Sequence, residues 1–264
     1  MMSRTLRLSD GLGTRVIEAG AGAPVLLIHG VGMRAEAWGP QIAALSRDHH
    51  VIAVDMPGHG GSDPLPGAPR LPDYVAWAAR VIQALGLGPV AVAGHSMGSL
   101  ITAGLAVDHP DLVSRAAILN GVHRRTPDAR AAVLARAAEI AAGRAGIEGP
   151  LDRWFAPGDS ALRDQVADWL RTVPQAGYAA AYLAFAEGDS VYADRLGEIR
   201  CPLLVLTGDG DANSTPEMTR TMAAMAPLGR AAVITGHRHM VNLTAPEAVT
   251  NALRAWLTEE KATA

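Results

Sequence analysis

The stretch VAGHSMGSL, residues 92–100, decides the fold of this chain. Ser96 stands midway between Gly94 and Gly98, directly after an apolar run and before small residues that predict a helix over Met97–Val107. A serine in a sharp, strained turn requires neighbours two residues away on either side that have almost no side chain. The stretch therefore predicts a G-x-S-x-G nucleophile elbow with Ser96 as nucleophile; a glycine-serine turn without chemistry is the alternative.

Continuous apolar runs and helical segments alternate around this elbow. Runs of this kind are typical of strands covered on both faces, and their alternation with helices predicts an α/β fold with a mostly parallel sheet. The predicted strands lie in residues 24–30, 50–58, 89–96, 116–121, 202–211 and 231–236, after an N-terminal hairpin at Arg4–Leu8 and Arg15–Glu18. The other predicted helices of the core are Ala37–Ser46, Pro72–Leu85, Pro216–Met225 and Pro246–Leu257.

One segment, residues 122–198, interrupts this alternation. It contains no strand-like run, only helical patterns at Ala129–Ala141, Ala161–Arg171 and Gln175–Ala186, separated by GIEGP, APGD and TVP. We therefore predict a core of residues 1–121 and 199–264 with an inserted helical cap. The cap is expected over the carboxyl edge of the sheet, where open α/β sheets bind ligands.

Composition narrows the classes of function. The chain has 264 residues, 49% of them hydrophobic, a net charge of −3, and no basic run longer than Arg124–Arg125. This excludes the electrostatic footprint of a nucleic-acid-binding or membrane-surface protein and favours a small-molecule substrate. With one cysteine, Cys201, and no signal-peptide pattern, a cytoplasmic protein is expected. Its oligomeric state is not indicated.

The order of the motifs resembles that of the α/β-hydrolase superfamily. The motifs are HGVG (29–32), DMPGHGGS (55–62), GHSMG (94–98), GDGD (208–211) and RHMVNLTAPE (238–247). The resemblance implies a chain order of nucleophile, acid and histidine. It implies Asp211 as the acid, three residues after a strand-end glycine, and leaves Asp209 as a turn residue. It also implies an oxyanion hole formed by the backbone N–H groups of Val31 and Met97.

Two histidines, His237 and His239, compete for the role of base. Family members usually have a proline seven residues after the histidine, and Pro246 lies seven after His239. The resemblance thus implies His239, and it leaves His237 as a loop residue. A metal pair is the rival interpretation of HRH, but a zinc site needs three or four ligands and no further ligand follows nearby. We predict no metal and no cofactor.

The substrate is the least determined part of the prediction. The chain is similar to 3-oxoadipate enol-lactonase and related small hydrolases, which implies a carboxylic ester or lactone substrate. Arg124 or Arg125 is expected to bind an anionic group, and the alternative is that both are solvated cap residues. Trp38 and Trp154 are candidates for lining the site, and the alternative is that they pack in the core or the cap. Carbon–carbon bond hydrolysis, cofactor-free perhydrolysis and ligand reception with little turnover remain open, because the fold and triad do not separate them.

Overall fold

The computed structural model describes residues 1–258, and its centre is an eight-stranded sheet in the order β1-β2-β4-β3-β5-β6-β7-β8. The first two strands form an antiparallel hairpin, β2 pairs antiparallel with β4, and the remaining strands are parallel. The strands are β1 Met2–Arg7, β2 Gly13–Ala19, β3 Ala23–Ile28, β4 His49–Val54, β5 Val90–His95, β6 Val113–Leu119, β7 Leu203–Gly208 and β8 Gly229–Ile234.

Helices cover both faces of the sheet. One layer contains α1 and α10, and the opposite layer contains α2, α3 and α8. The helices of the core are α1 Gly39–Leu45, α2 Leu71–Leu85, α3 Met97–Asp108, α8 Pro216–Met225, α9 Val241–Thr244 and α10 Pro246–Thr258. This architecture confirms the predicted fold class.

Successive side chains along each strand point to opposite faces of the sheet and pack against the helical layer on each face. In β3, Leu26 and Ile28 belong to the core on the α2 and α3 side, whereas Val25 and Leu27 belong to the core on the α1 and α10 side. All four are almost fully buried. Burying each such side chain contributes about 1.5–3 kcal/mol, so the pattern of continuous apolar residues is what holds the sheet between two helical layers.

Four helices lie in the chain between β6 and β7: α4 Pro127–Ala141, α5 Glu148–Trp154, α6 Ser160–Thr172 and α7 Gln175–Gly188. Helix α4 begins at Pro127 because the Thr126 side chain accepts a hydrogen bond from the backbone N–H of Ala129. The GIEGP stretch, residues 146–150, was expected to break the helical pattern; the break between α4 and α5 covers residues 142–147, and α5 begins inside the stretch at Glu148. Pro150 is tolerated there because the first turn of a helix needs no N–H donor to an earlier residue.

Helix α7 rests on a loop of the core through a contact between two glycines. A Cβ atom on Gly177 would lie 2.0 Å from the carbonyl oxygen of Gly58, so the two backbones touch directly. Gly58 also has a φ of 71°, which favours glycine. This contact fixes the start of α7 above the loop that follows β4.

No helix within residues 1–258 combines the length and apolar character needed to cross a membrane.

Candidate active site

Ser96 lies in the turn that joins β5 to α3, with a φ of 54° and a ψ of −116°. Neighbouring backbone leaves no room for larger residues: a Cβ on Gly94 would lie 2.0 Å from the carbonyl oxygen of Gly98, and one on Gly98 would lie 2.2 Å from that of Ile28. The strained turn holds the serine at the carboxyl end of β5, near the middle of the sheet. This is the geometry expected of a nucleophile elbow.

Asp211 and His239 form a buried pair at the ends of neighbouring strands. Asp211 follows β7 and His239 follows β8, and the His239 Nδ1 lies 2.7 Å from Asp211 Oδ2. Both side chains are at most 5% exposed. With the carboxylate ionised, Nδ1–H donates to it, which leaves His239 Nε2 able to accept a proton.

Three further donors hold the Asp211 carboxylate in place. Asn120 Nδ2 donates to Oδ2 over 2.8 Å, and the backbone N–H groups of Asn213 and Ser214 donate to Oδ1. Burial alone would raise the pKa of Asp211, but His239 and these donors lower it below its ordinary value. Asp211 is therefore kept ionised beside the imidazole.

The two rival residues point elsewhere. Asp209 is exposed and accepts a hydrogen bond from the backbone N–H of Gly236 over 2.8 Å. His237 Nδ1 lies 3.0 Å from the Thr244 hydroxyl. Each stabilises the turn in which it sits, and neither forms the buried pair made by Asp211 and His239.

The backbone around His239 and around the turn after β3 is held by buried neutral histidines. His95 Nε2–H donates to the carbonyl oxygen of His239 over 2.8 Å, and His59 Nε2 accepts from the N–H of Gly32 over 3.0 Å. Burial lowers the pKa of both His59 and His95 to about 3, so both stay uncharged.

The turn after β3 passes beside the serine at Gly30. A Cβ on Gly30 would lie 3.0 Å from the Ser96 Cβ, and Gly32 has a φ of 81°. The N–H of Met97 is the first of α3 and has no acceptor within that helix. Met97 directly follows Ser96, and Val31 lines the same cavity as the serine. Their role as oxyanion donors remains a prediction.

A cavity of about 680 Å³ lies between the serine and the helices α4, α5 and α7. Ser96, His239 and Val31 line it from the core, and Trp154 lines it from α5, stacking on the His239 ring. The prediction for Trp154 thus agrees with its place in the fold. The cavity is large enough for a small carboxylic acid derivative.

Two predicted substrate-binding residues are not among the described residues that line this cavity. Arg124 is half exposed and forms an ion pair with Asp194 on the surface. Trp38 is fully buried in the part of the core that packs against α1 and α10. Both predictions are corrected: Arg124, in left-handed backbone with a φ of 48°, pairs with Asp194 instead of lining the cavity, and Trp38 packs as a core residue.

Sequence reasoning missed several residues of the site. Asn120 ends β6 and holds Asp211, and its position at the end of a predicted strand was the available signal. Arg136, Tyr178 and Tyr182 line the cavity from α4 and α7, but nothing in a helical pattern indicates which residues face a ligand. Among residues 1–258, no three histidine, cysteine, aspartate or glutamate side chains are grouped as metal ligands.

Comparison with known proteins identifies the family. A model described as the alpha/beta hydrolase family matches residues 25–252, most of the chain. The chain therefore belongs to the α/β-hydrolase family, as its motifs had suggested, and it is a hydrolase by that membership.

Among curated proteins, the (E)-2-((N-methylformamido)methylene)succinate hydrolase of Acinetobacter baylyi is 54% identical over 259 residues, covering 97% of this chain and 98% of the relative. Among solved structures, a thermophilic esterase from Thermogutta terrifontis, with malate bound, has a TM-score of 0.88 at 27% identity and covers 97% of this chain and 98% of its own. The enol-lactonase from Burkholderia xenovorans LB400 has a TM-score of 0.85 at 23% identity, with 97% and 100% covered, and supports the fold alone.

Proposed function

We propose that this protein is a serine hydrolase that cleaves the carbonyl–nitrogen bond of a small carboxylated enamide, of the kind for which the Acinetobacter relative is named. One observation carries the proposal: Ser96 and His239, whose imidazole is paired with Asp211, line one cavity in a chain 54% identical to that relative over nearly its whole length. The same triad chemistry serves esters and amides, and the leaving group is what distinguishes them.

The proposed reaction proceeds through an acyl-enzyme. His239 Nε2 takes the proton of the Ser96 hydroxyl as its oxygen attacks the acyl carbonyl carbon, and Asp211 stabilises the imidazolium. The N–H groups of Val31 and Met97 bind the resulting oxyanion. Collapse breaks the carbon–nitrogen bond, and His239 returns the proton to the departing nitrogen.

Water then completes the cycle. It attacks the acyl carbon with His239 as base, and the carboxylic acid leaves as Ser96 regains its proton. For a formamido substrate the products are formate and an enamine. Loss of one oxyanion donor of this type costs about 3 kcal/mol of transition-state stabilisation.

The leaving group makes amide cleavage feasible for a triad of the esterase type. In a formamidomethylene succinate, the nitrogen is attached to a carbon–carbon double bond that is conjugated with a carboxyl group. Its lone pair is delocalised away from the formyl carbonyl, so the carbonyl is more electrophilic than that of an ordinary amide. The departing nitrogen is also less basic, which lowers the barrier to its release.

Esters and lactones are the second candidate substrates. The esterase from Thermogutta terrifontis shares the whole fold with this chain at 27% identity, and ester cleavage requires the same nucleophile, base and oxyanion donors. We propose that activated short esters are turned over by the same residues. The rate for a carboxylated enamide relative to that for an ester of equal size distinguishes the two candidates.

The test is formate release from (E)-2-((N-methylformamido)methylene)succinate, measured with a coupled formate dehydrogenase. The wild type should release one formate per substrate, and Ser96→Ala should release none. An intact mass measurement after treatment with a fluorophosphonate should give a single adduct on the wild type alone. If esters are hydrolysed while the enamide is untouched, the ester hydrolase is the correct assignment. If neither probe reacts, the serine is not activated and the proposal fails.

A further inference from the structure

The wall of the cavity opposite the core is strongly basic. Arg125, Arg136 and Arg153 line it, whereas Glu139 is the one carboxylate among the described lining residues. These four side chains leave an excess of two positive charges around a space of about 680 Å³. Charges that face an enclosed cavity act on a ligand with less solvent screening than they would on an open surface.

The Arg125 side chain is only 5% exposed. Its guanidinium lies 4.4 Å above the Phe185 ring, and Nη1 donates to the Phe185 carbonyl oxygen over 3.3 Å. Nη1 is also 3.4 Å from the Asp189 carboxylate. One side of the guanidinium is therefore fixed by α7 and the residue that follows it.

The other side of the guanidinium has no partner. Arg125 Nη2 is buried and lacks any hydrogen-bond acceptor among residues 1–258. A buried N–H of a charged group without an acceptor is costly, and native proteins rarely leave one unexplained. Because Arg125 lines the same cavity as Ser96, an acceptor on a bound ligand would satisfy it.

Asp189 does not neutralise Arg125 by itself. Arg130 Nη1 donates to the same Asp189 oxygen over 2.8 Å, a shorter distance than that from Arg125. The carboxylate is thus shared between two arginines, and one positive charge remains without a matching acid. This surplus charge lies on the guanidinium with the unpartnered Nη2.

Arg136 repeats the pattern further along α4. Its Nη2 donates to the Gly146 carbonyl oxygen over 2.8 Å, while its Nε is buried without a partner among the described residues. Burial raises the pKa of the Tyr182 hydroxyl, and the charges of Arg136, Arg125 and Arg153 oppose that rise. All three arginines line the cavity together with Tyr182.

We propose that Arg125 binds a substrate carboxylate through its free Nη2 and that Arg136 serves a second carboxylate, so that the cavity selects dicarboxylates. This inference rests on the proposed function for the position of the reacting carbonyl at Ser96. It assigns the anionic part of the substrate to the helices between β6 and β7. Arginine suits this role because its planar fork matches a carboxylate and stays charged.

The test uses binding rather than turnover. The probe is methylenesuccinate (itaconate), with its dimethyl ester as the neutral analogue, titrated into Ser96→Ala by calorimetry at about 150 mM salt, where surface charges are screened. Itaconate should bind about 10- to 100-fold more tightly than the dimethyl ester, given the usual strength of hydrogen bonds to charged groups. Equal affinity for the two compounds would overturn the proposal.

Variants at adjacent positions separate direct contact from the general electrostatic field. Arg125→Lys keeps the charge but loses the guanidinium fork, and it should weaken itaconate binding about 10-fold or more. Arg124→Lys is the matched control on the neighbouring, surface-paired arginine and should change binding less than about 2-fold. Thermal unfolding identifies any variant that fails to fold. If Arg125→Lys does not fold, Arg136→Lys must show the weakened itaconate binding instead. If the folded variants bind itaconate as tightly as the Arg124→Lys control does, the proposal is wrong.

The result is independent of catalysis. If itaconate binds through Arg125 while Ser96 is not labelled by the fluorophosphonate, the carboxylate site stands and the proposed hydrolase does not. If formate is released but dicarboxylate binding is unaffected by Arg125→Lys, the hydrolase stands and the assignment of Arg125 fails.

Discussion

The indole ring of Trp154 stacks on the imidazole of His239, with ring centroids 5.6 Å apart and planes inclined by 29°. The next residue back from that histidine, Arg238, donates through Nη1 to the carbonyl oxygens of Asp152 and Phe155, each over 2.7 Å. The end of α5 is therefore tied to the loop that carries His239. Any movement of α5 would change the surroundings of the proposed base.

Trp154→Ala should lower kcat for the enamide or an activated ester by about 2- to 10-fold, because aromatic stacking contributes about 0.5–1.5 kcal/mol. Trp154→Phe should retain most of the activity, since a ring remains against His239. Trp169→Ala, on α6 and outside the lining of the cavity, is the matched control. Steady-state kinetics of the three variants check this, and equal losses in Trp154→Ala and Trp169→Ala would contradict it.

The assignment of the histidine is testable as a difference between two substitutions. His239→Ala should reduce kcat by a factor of at least about 10⁴, since it removes the proposed base. His237→Ala loses a contact with Thr244 and should stay within about 2-fold of the wild type. The rates of nitrophenyl ester hydrolysis by the two variants test this assignment. A larger loss of activity in His237→Ala than in His239→Ala would identify His237 as the base.

The acid is tested in the same way. Asp211→Asn should lower kcat by about 10⁴, because an amide cannot hold the imidazole in the required tautomer. Asp209→Asn changes an exposed turn residue that accepts from Gly236 and should leave kcat nearly unchanged. Circular dichroism confirms that both variants are folded before their rates are compared. Similar rates for the pair would show that Asp211 is not the acid.

Strain at the nucleophile predicts an unusual order of stability. Ser96 holds a φ of 54° and a ψ of −116°, a conformation that costs a residue with a Cβ about 1–3 kcal/mol. Ser96→Gly should be more stable than Ser96→Ala by about 1 kcal/mol, after allowing for the greater freedom of glycine in the unfolded chain. Urea denaturation of the two variants measures the difference. A more stable alanine variant would mean that the turn is unstrained.

Three buried histidines predict sensitivity to mild acid. Burial lowers the pKa of His29, and it lowers that of His59 and His95 to about 3, whereas an unfolded histidine has a pKa near 6.5. The unfolded state therefore takes up protons first as the pH falls below 6.5. The stability they confer is complete above pH 6.5 and is lost on the way towards pH 3.

The expected slope below pH 6.5 is about 1.4 kcal/mol per pH unit for each of His59 and His95, or about 3 kcal/mol per pH unit for the two together, and His29 adds to it in the same direction. The free energy of unfolding in urea, measured from pH 7 to pH 5, checks this. His59→Gln should reduce the slope by the contribution of one histidine, about 1.4 kcal/mol per pH unit, since glutamine does not titrate. A stability that does not change over this range would contradict the burial of neutral histidines.

The parts of the site that depend on local backbone sterics could be predicted from the sequence. Gly94 and Gly98 predict the turn at Ser96, because nearby backbone excludes any larger residue at either position. The choice of Asp211 and His239 came from the order of motifs in the family, and the structure brings these two side chains within hydrogen-bonding distance.

The residues on the far wall could not be predicted in this way. Arg124 and Arg125 are adjacent and chemically identical, yet a left-handed residue in irregular backbone directs one to the surface and the other inward. Trp38 likewise had two possible environments, core and cavity, and composition does not distinguish them. Side-chain direction in loops depends on tertiary packing, which the sequence pattern does not contain.

Helices α4–α7 lie together in the chain between β6 and β7, apart from the segments that carry the proposed catalytic side chains. The side chains proposed to perform the chemistry, Ser96, Asp211 and His239, follow strands of the sheet, whereas Arg125 and Arg136 come from the inserted helices or the segment leading into them. The chemistry of the reaction and the preference for a substrate can therefore change independently of each other. An engineer could exchange the inserted helices for those of another hydrolase to recruit a new substrate, provided that a glycine still meets Gly58 at the point of docking.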